Sequence, residues 1–118
     1  ITMNYALHES LRLVLNEGLE ERWARHEVNH ALLKTGLAEL GLYIASQEGH
    51  QLWQLNAVTV PEGIDEASIR KALLASHGIE IGAGLGPLAG KVWRIGLMGY
   101  SSTRENVNRV LDAIKNLL

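Results

Sequence analysis

From Gly82 to Val110 the chain reads GAGLGPLAGKVWRIGLMGYSSTRENVNRV, a glycine-rich turn, then an alternating strand, then a capped helix. Alternation over residues 91–98 puts Trp93, Ile95 and Leu97 on one face of that strand and Val92, Arg94 and Gly96 on the other. The apolar set takes the core. Arg94 then projects from the opposite face, beside a glycine that has no side chain to obstruct it. A guanidinium offers a rigid fork of donors that fits a carboxylate or phosphate with two parallel hydrogen bonds, which a lysine does not reproduce. The same pattern also describes an arginine on the wet face of an antiparallel sheet.

Punctuation along the rest of the chain sets the coarse organisation. Leu7, Leu11, Val14 and Leu15 recur at helical spacing and predict a first helix ending at Gly18. A longer second helix carries Leu19, Trp23, His26, His30, Leu33, Leu37 and Leu40 and stops at Gly41, where Gly41-Leu42 predicts a left-handed cap with an apolar residue folding back. Residues 42–45 and 54–60 read as strands on either side of a polar Gln47-Glu48-Gly49-His50 turn, with Pro61 closing the second.

Asp65 is placed to cap a third helix ending at Gly78, with Ile64 and Ile69 at hydrophobic-staple spacing. Ile79 and Ile81 alternate around Glu80 as a further strand. Ser102 and Glu105 form a capping-box pair before a last helix with Val107, Val110, Leu111, Ile114 and Leu118 on one stripe. The predicted architecture is α+β: a small, mostly antiparallel four-stranded sheet with helices on one face and the first helix reaching outward.

At 118 residues, the chain is expected to be one domain, 1–118, large enough to bury about two thirds of its unfolded surface. A formal charge of −2 with no basic block argues against nucleic acid or an anionic membrane as partner. With no cysteine, the chain has no disulfide and no thiolate for zinc, nickel-iron or an iron-sulfur cluster. No apolar run reaches membrane-span length, Ile1 opens no signal peptide and the last residues are no peroxisomal address, so the expected location is the cytoplasm.

Two motifs compete for a function. His26-Glu27-Val28-Asn29-His30 satisfies H-E-x-x-H, in which two histidines one turn apart hold zinc and the glutamate acts as general base, as in a zinc-dependent hydrolase. The metzincin extension fails, because Leu33 and Gly36 stand where glycine and histidine are needed, and Glu48 and His50 fall in a turn. The bland reading is a pair of hydrogen-bonded imidazoles sharing a stripe with Trp23 and Leu33.

Gly84 to Ala89 is formally G-x-G-x-x-A, but a strand follows where a dinucleotide site needs a helix N-terminus. Gly90-Lys91-Val92 lacks the Ser or Thr of a P-loop. Glu20, Glu21 and Arg22 read as a solvated face, His8, His50 and His77 as surface residues, and Asn56 as a satisfied polar core residue.

The runs Gly84-Leu85-Gly86-Pro87, Gly90-Lys91-Val92-Trp93-Arg94-Ile95-Gly96 and Thr103-Arg104-Glu105-Asn106-Val107 resemble the C-terminal domain of the alanine-glyoxylate aminotransferase family, among the class V, fold-type I, pyridoxal-phosphate enzymes. Tyr5-Ala6-Leu7-His8-Glu9-Ser10-Leu11 resembles the helix leaving that family's large domain, so the likeness runs essentially end to end.

The resemblance implies the same α+β fold, and that Arg94 binds the α-carboxylate of the amino-acid or oxo-acid substrate. It implies a homodimeric parent carrying pyridoxal 5′-phosphate and moving an amino group from alanine or serine to glyoxylate. The large domain and its Schiff-base lysine are absent, since Lys34, Lys71, Lys91 and Lys115 all lie outside that segment. The expectation is therefore no catalytic, cofactor-binding or metal-binding residue in this chain, no bound cofactor and no transamination by it alone. The first helix is expected to lack its partner and to drive self-association, with exchange of the helix between copies. A free-standing interaction module is the remaining alternative.

Overall fold

The first two helical stripes become consecutive helices, α1 (Thr2–Glu17) and α2 (Leu19–Glu39), separated by Gly18 alone, in a computed structural model that describes residues 1–118. Gly18 sits at φ 87°, a left-handed conformation that a residue with a Cβ resists, and the chain breaks direction there. No residue of α1 is buried, and Met3, Leu7, Leu11, Leu13 and Leu15 are all exposed. Leu33 and Leu37 of α2 are fully buried. At its end, the amide of Leu42 donates to Leu37 and that of Gly41 to Ala38, which is the predicted cap with Leu42 folded back into the core.

The remaining elements are β1 (Leu55–Thr59), α3 (Glu66–His77), β2 (Gly82–Ala83), β3 (Val92–Gly96) and α4 (Arg104–Leu117). The sheet is antiparallel, in the order β1-β3-β2, and has three strands rather than the predicted four. Residues 42–45 contribute one isolated bridge, Ile44 to Val58, because the amide of Leu42 serves the helix cap and the backbone bends away at Ala45 and Ser46.

The strand predicted at residues 79–81 is also displaced. The amide of Ile79 donates to Leu73 at the end of α3, and ladder pairing starts only at Gly82. α3 starts as expected, with Asp65 accepting the Ser68 amide at 3.0 Å. α4 is capped one residue later than predicted: Thr103 accepts the Asn106 amide at 3.1 Å, whereas Ser102 is buried and accepts from Asn29.

Helices α2, α3 and α4 converge on the sheet face that carries Val58, Trp93 and Ile95, and with Leu97, Leu73, Val107 and Ile114 they make one core. The Trp93 indole N–H donates to the carbonyl of Glu66, pinning β3 to the start of α3. Val92 is buried too, although it shares a face with Arg94, because the turn after β2 folds over it. No helix is long and apolar enough to cross a membrane.

Candidate functional site

Arg94 stands at the middle of the central strand, opposite Ala57 of β1 and Gly82 of β2. Both neighbours are small, so a half-buried guanidinium lies on the sheet face turned away from the helices. Its Nε donates to the carbonyl of Ala83 at 2.6 Å. No carboxylate pairs with it, and neither terminal nitrogen meets a protein acceptor. A cation fixed on its stem with two nitrogens free can take a planar anion through parallel hydrogen bonds. Gly96, two residues on, adds no side chain to that face, but the Met98 methyl lies beside it, 3.1 Å from where a Cβ would stand.

A second group of charged side chains, at the junction of α1 and α2, is engaged internally. Arg25 donates through Nε and Nη2 to Glu17, and through Nη1 to the carbonyls of Gly99 and Ser102 at 2.8 and 2.6 Å. Arg22, predicted to be solvated, is half-buried and pairs with Glu17 at 3.2 Å. Hydrogen bonding from Arg25 outweighs the opposing desolvation and, with the charges of Arg25 and Arg22 added, holds the Glu17 carboxyl below its ordinary value. These groups line a cleft of about 650 Å³ between α1 and the start of α4, and their mutual pairing makes it a joint between elements.

The two histidines of the H-E-x-x-H motif are committed elsewhere. His26 Nδ1 lies 2.7 Å from the Arg22 carbonyl and Nε2 accepts the Gly99 amide at 3.0 Å, which fixes a neutral ring protonated at Nδ1. His30 is buried and its Nδ1 donates to Asn56 Oδ1 at 2.8 Å, while Asn56 Nδ2 donates to the Ile95 carbonyl. Asn56 is thus the satisfied polar core residue that the sequence suggested. No group of three histidine or carboxylate side chains converges on a metal-sized space. The glycine run likewise leads into a short 3₁₀ turn, Gly86–Leu88, and then into β3.

A pyridoxal-phosphate aldehyde needs an amine that loses its proton in a sheltered site. Lys34 is bridged to Glu48 at 2.5 Å, and Lys71, Lys91 and Lys115 are exposed, so the lysines of this chain do not fit that role. The alternation that singled out Arg94 gave no sign of Gly82 and Ala83, whose part depends on cross-strand register. The only sequence trace of them is the glycine run itself.

No family model matches the chain. It is 48% identical over 117 residues to the (S)-ureidoglycine–glyoxylate transaminase of Bacillus subtilis, covering 99% of this chain and 28% of that protein. It is 41% identical over 119 residues to the alanine–glyoxylate aminotransferase of Mus musculus, covering 100% of this chain and 29% of that protein. The crystal structure of alanine–glyoxylate aminotransferase from Nostoc sp. superimposes with a TM-score of 0.93 at 42% identity, over 96% of this chain and 30% of that one. The chain therefore spans about three tenths of the length of the relatives it matches. These similarities, end to end on this chain and on a matching fold, place it in the class V family of pyridoxal-phosphate-dependent aminotransferases, as a segment of a larger enzyme.

Proposed function

We propose that this chain is the C-terminal small domain of an aminotransferase that uses glyoxylate as amino acceptor, and that Arg94 binds the substrate α-carboxylate. The observation that carries the reading is the guanidinium of Arg94, held at Nε and unpaired at both terminal nitrogens on the open sheet face. Glyoxylate stands in the names of both relatives, which supports it as acceptor. Alanine or serine is the donor expected from the resemblance, and ureidoglycine joins them because the 48% identical relative is named for it.

The lysine and the remaining walls of the site come from the large domain, beyond this chain. Bound pyridoxal phosphate supplies an electron sink for the carbon that exchanges its amino group. Arg94 fixes the carboxylate end of the substrate, which orients that carbon for proton removal. On this reading the parent is a cytoplasmic homodimer, and the isolated chain binds no cofactor and does not transaminate. Its exposed α1 stripe drives association between copies with exchange of the helix. Monomeric sedimentation at high concentration, with no helix exchange, overturns that last point.

The deciding experiment uses the full-length enzyme. Arg94→Ala is expected to raise KM for glyoxylate by about two orders of magnitude, the loss of a bidentate charged pair, with cofactor absorbance retained. Unchanged kinetics would sink the carboxylate role.

A further inference from the structure

Gly82 is a glycine without a backbone reason to be one. Eight glycines of this chain have positive φ, and Gly82 is not among them. Its conformation is open to any residue. What the missing side chain provides is space. A Cβ on Gly82 would stand 3.3 Å from Arg94 Nη2 and 3.4 Å from Nε, closer than side chains normally pack. The guanidinium therefore lies flat along β2, across the backbone of its own register partner. The adjoining carbonyl of Ala83 accepts from Nε at 2.6 Å. Nε and Nη2 thus both lie against β2, and neither terminal nitrogen meets a protein acceptor there.

We infer that Gly82 is a positioning residue for substrate recognition: the bare backbone at 82 seats Arg94 against Ala83 and aims its terminal nitrogens at the substrate carboxylate. The inference rests on the carboxylate role proposed for Arg94. A side chain at 82 lifts the guanidinium off β2, lengthens the Nε bond to Ala83 and returns rotamer freedom to the arginine. Binding of the carboxylate weakens in consequence, while the groups that move protons at the reacting carbon lie elsewhere and are unaffected.

The test is a mutant cycle in the full-length holoenzyme. It reads kcat and KM for glyoxylate together with competitive inhibition by acetate, a carboxylate with nothing else to recognise. Gly82→Val is expected to raise KM and the acetate inhibition constant about tenfold with kcat within about twofold, and Gly82→Ala to move both the same way by less. In an Arg94→Ala background, Gly82→Val should add nothing, because its effect passes through the arginine. Should Gly82→Val not accumulate as folded enzyme, Gly82→Ala carries the same comparison.

Unchanged KM in the Gly82 variants, while Arg94→Ala raises it, overturns the positioning role and leaves the carboxylate role standing. An equal rise with and without Arg94 also overturns it. Unchanged KM in Arg94→Ala itself removes the carboxylate role and, with it, this inference.

Discussion

The Nε2 atom of His26 accepts the main-chain amide of Gly99 at 3.0 Å, so the ring that a zinc motif would offer to a metal already closes the loop after β3 onto α2. Its other nitrogen donates to the carbonyl of Arg22. Zinc would displace at least one of these bonds and gain no convergent third ligand. The protein dialysed against zinc is expected to retain well under one equivalent, and His26→Ala to leave that amount unchanged. Stoichiometric zinc that disappears in His26→Ala would revive the hydrolase reading.

His30 and Asn56 form the opposite case, a polar pair deep in the core that joins α2 to β1. Asn56 is fully buried and each polar end of its amide has one partner, the ring of His30 and the carbonyl of Ile95. Removing His30 leaves the amide oxygen without a partner in a dry site. His30→Ala should therefore destabilise by about 2–3 kcal/mol, the unmet hydrogen bond adding to the lost packing. Replacing both members with apolar residues should cost less than the sum of the single changes. Urea unfolding of the two single variants and the double variant measures this, and additive losses would contradict it.

Two glycines crowded by neighbours should respond unequally to alanine. A Cβ on Gly84 would fall 2.1 Å from the main-chain oxygen of Leu88, inside a turn that also covers Val92. The backbone there has to move, and about 2–4 kcal/mol of destabilisation is expected. A Cβ on Gly36 would meet Leu111 Cδ1 at 2.3 Å, but that is the end of a side chain that can turn. The helix preference of alanine over glycine, about 1 kcal/mol, offsets part of that cost within α2. Thermal unfolding should place Gly84→Ala well below Gly36→Ala, and the reverse order would count against the close packing of that turn.

Residues such as these show which parts of the fold were legible in the sequence. The Gly41-Leu42 cap, the Asp65 cap and the core face of β3 depend on signals within a few residues, and each appears where the pattern put it. The cap of the last helix falls one residue beyond the local pattern because Ser102 and Thr103 can both cap. The choice was made by Asn29, 73 positions away, which donates to the Ser102 hydroxyl. The same limit applies at the candidate site. Alternation exposed Arg94, but the Ala83 carbonyl that holds it depends on β2 pairing at Gly82 rather than at Ile81. That register follows from the amide of Ile79 being taken by the end of α3, a competition between two elements that no local pattern records.

Acid should loosen the joint between α1 and α2 before it disturbs the sheet core. The carboxyl of Glu17 is held below its ordinary value of 4.5, chiefly by the hydrogen bonds from Arg25 and then by the charges of Arg25 and Arg22. A carboxyl whose folded pKa is depressed contributes stability that is fully present above its unfolded value. That contribution is lost as pH falls through the folded value. The difference in unfolding free energy between the native chain and Glu17→Gln should therefore be constant near neutrality. It should begin to shrink below about pH 4.5 and vanish at lower pH, once both states bind the proton. Because Arg25 also holds the carbonyls of Gly99 and Ser102, protection of the amides of residues 99–103, measured against the intrinsic exchange rate at each pH, should fall across the same range in the native chain. In Glu17→Gln that protection should already be low at neutral pH. A variant whose stability deficit stays constant down to pH 3 would show that the Glu17 pairing contributes nothing through its charge.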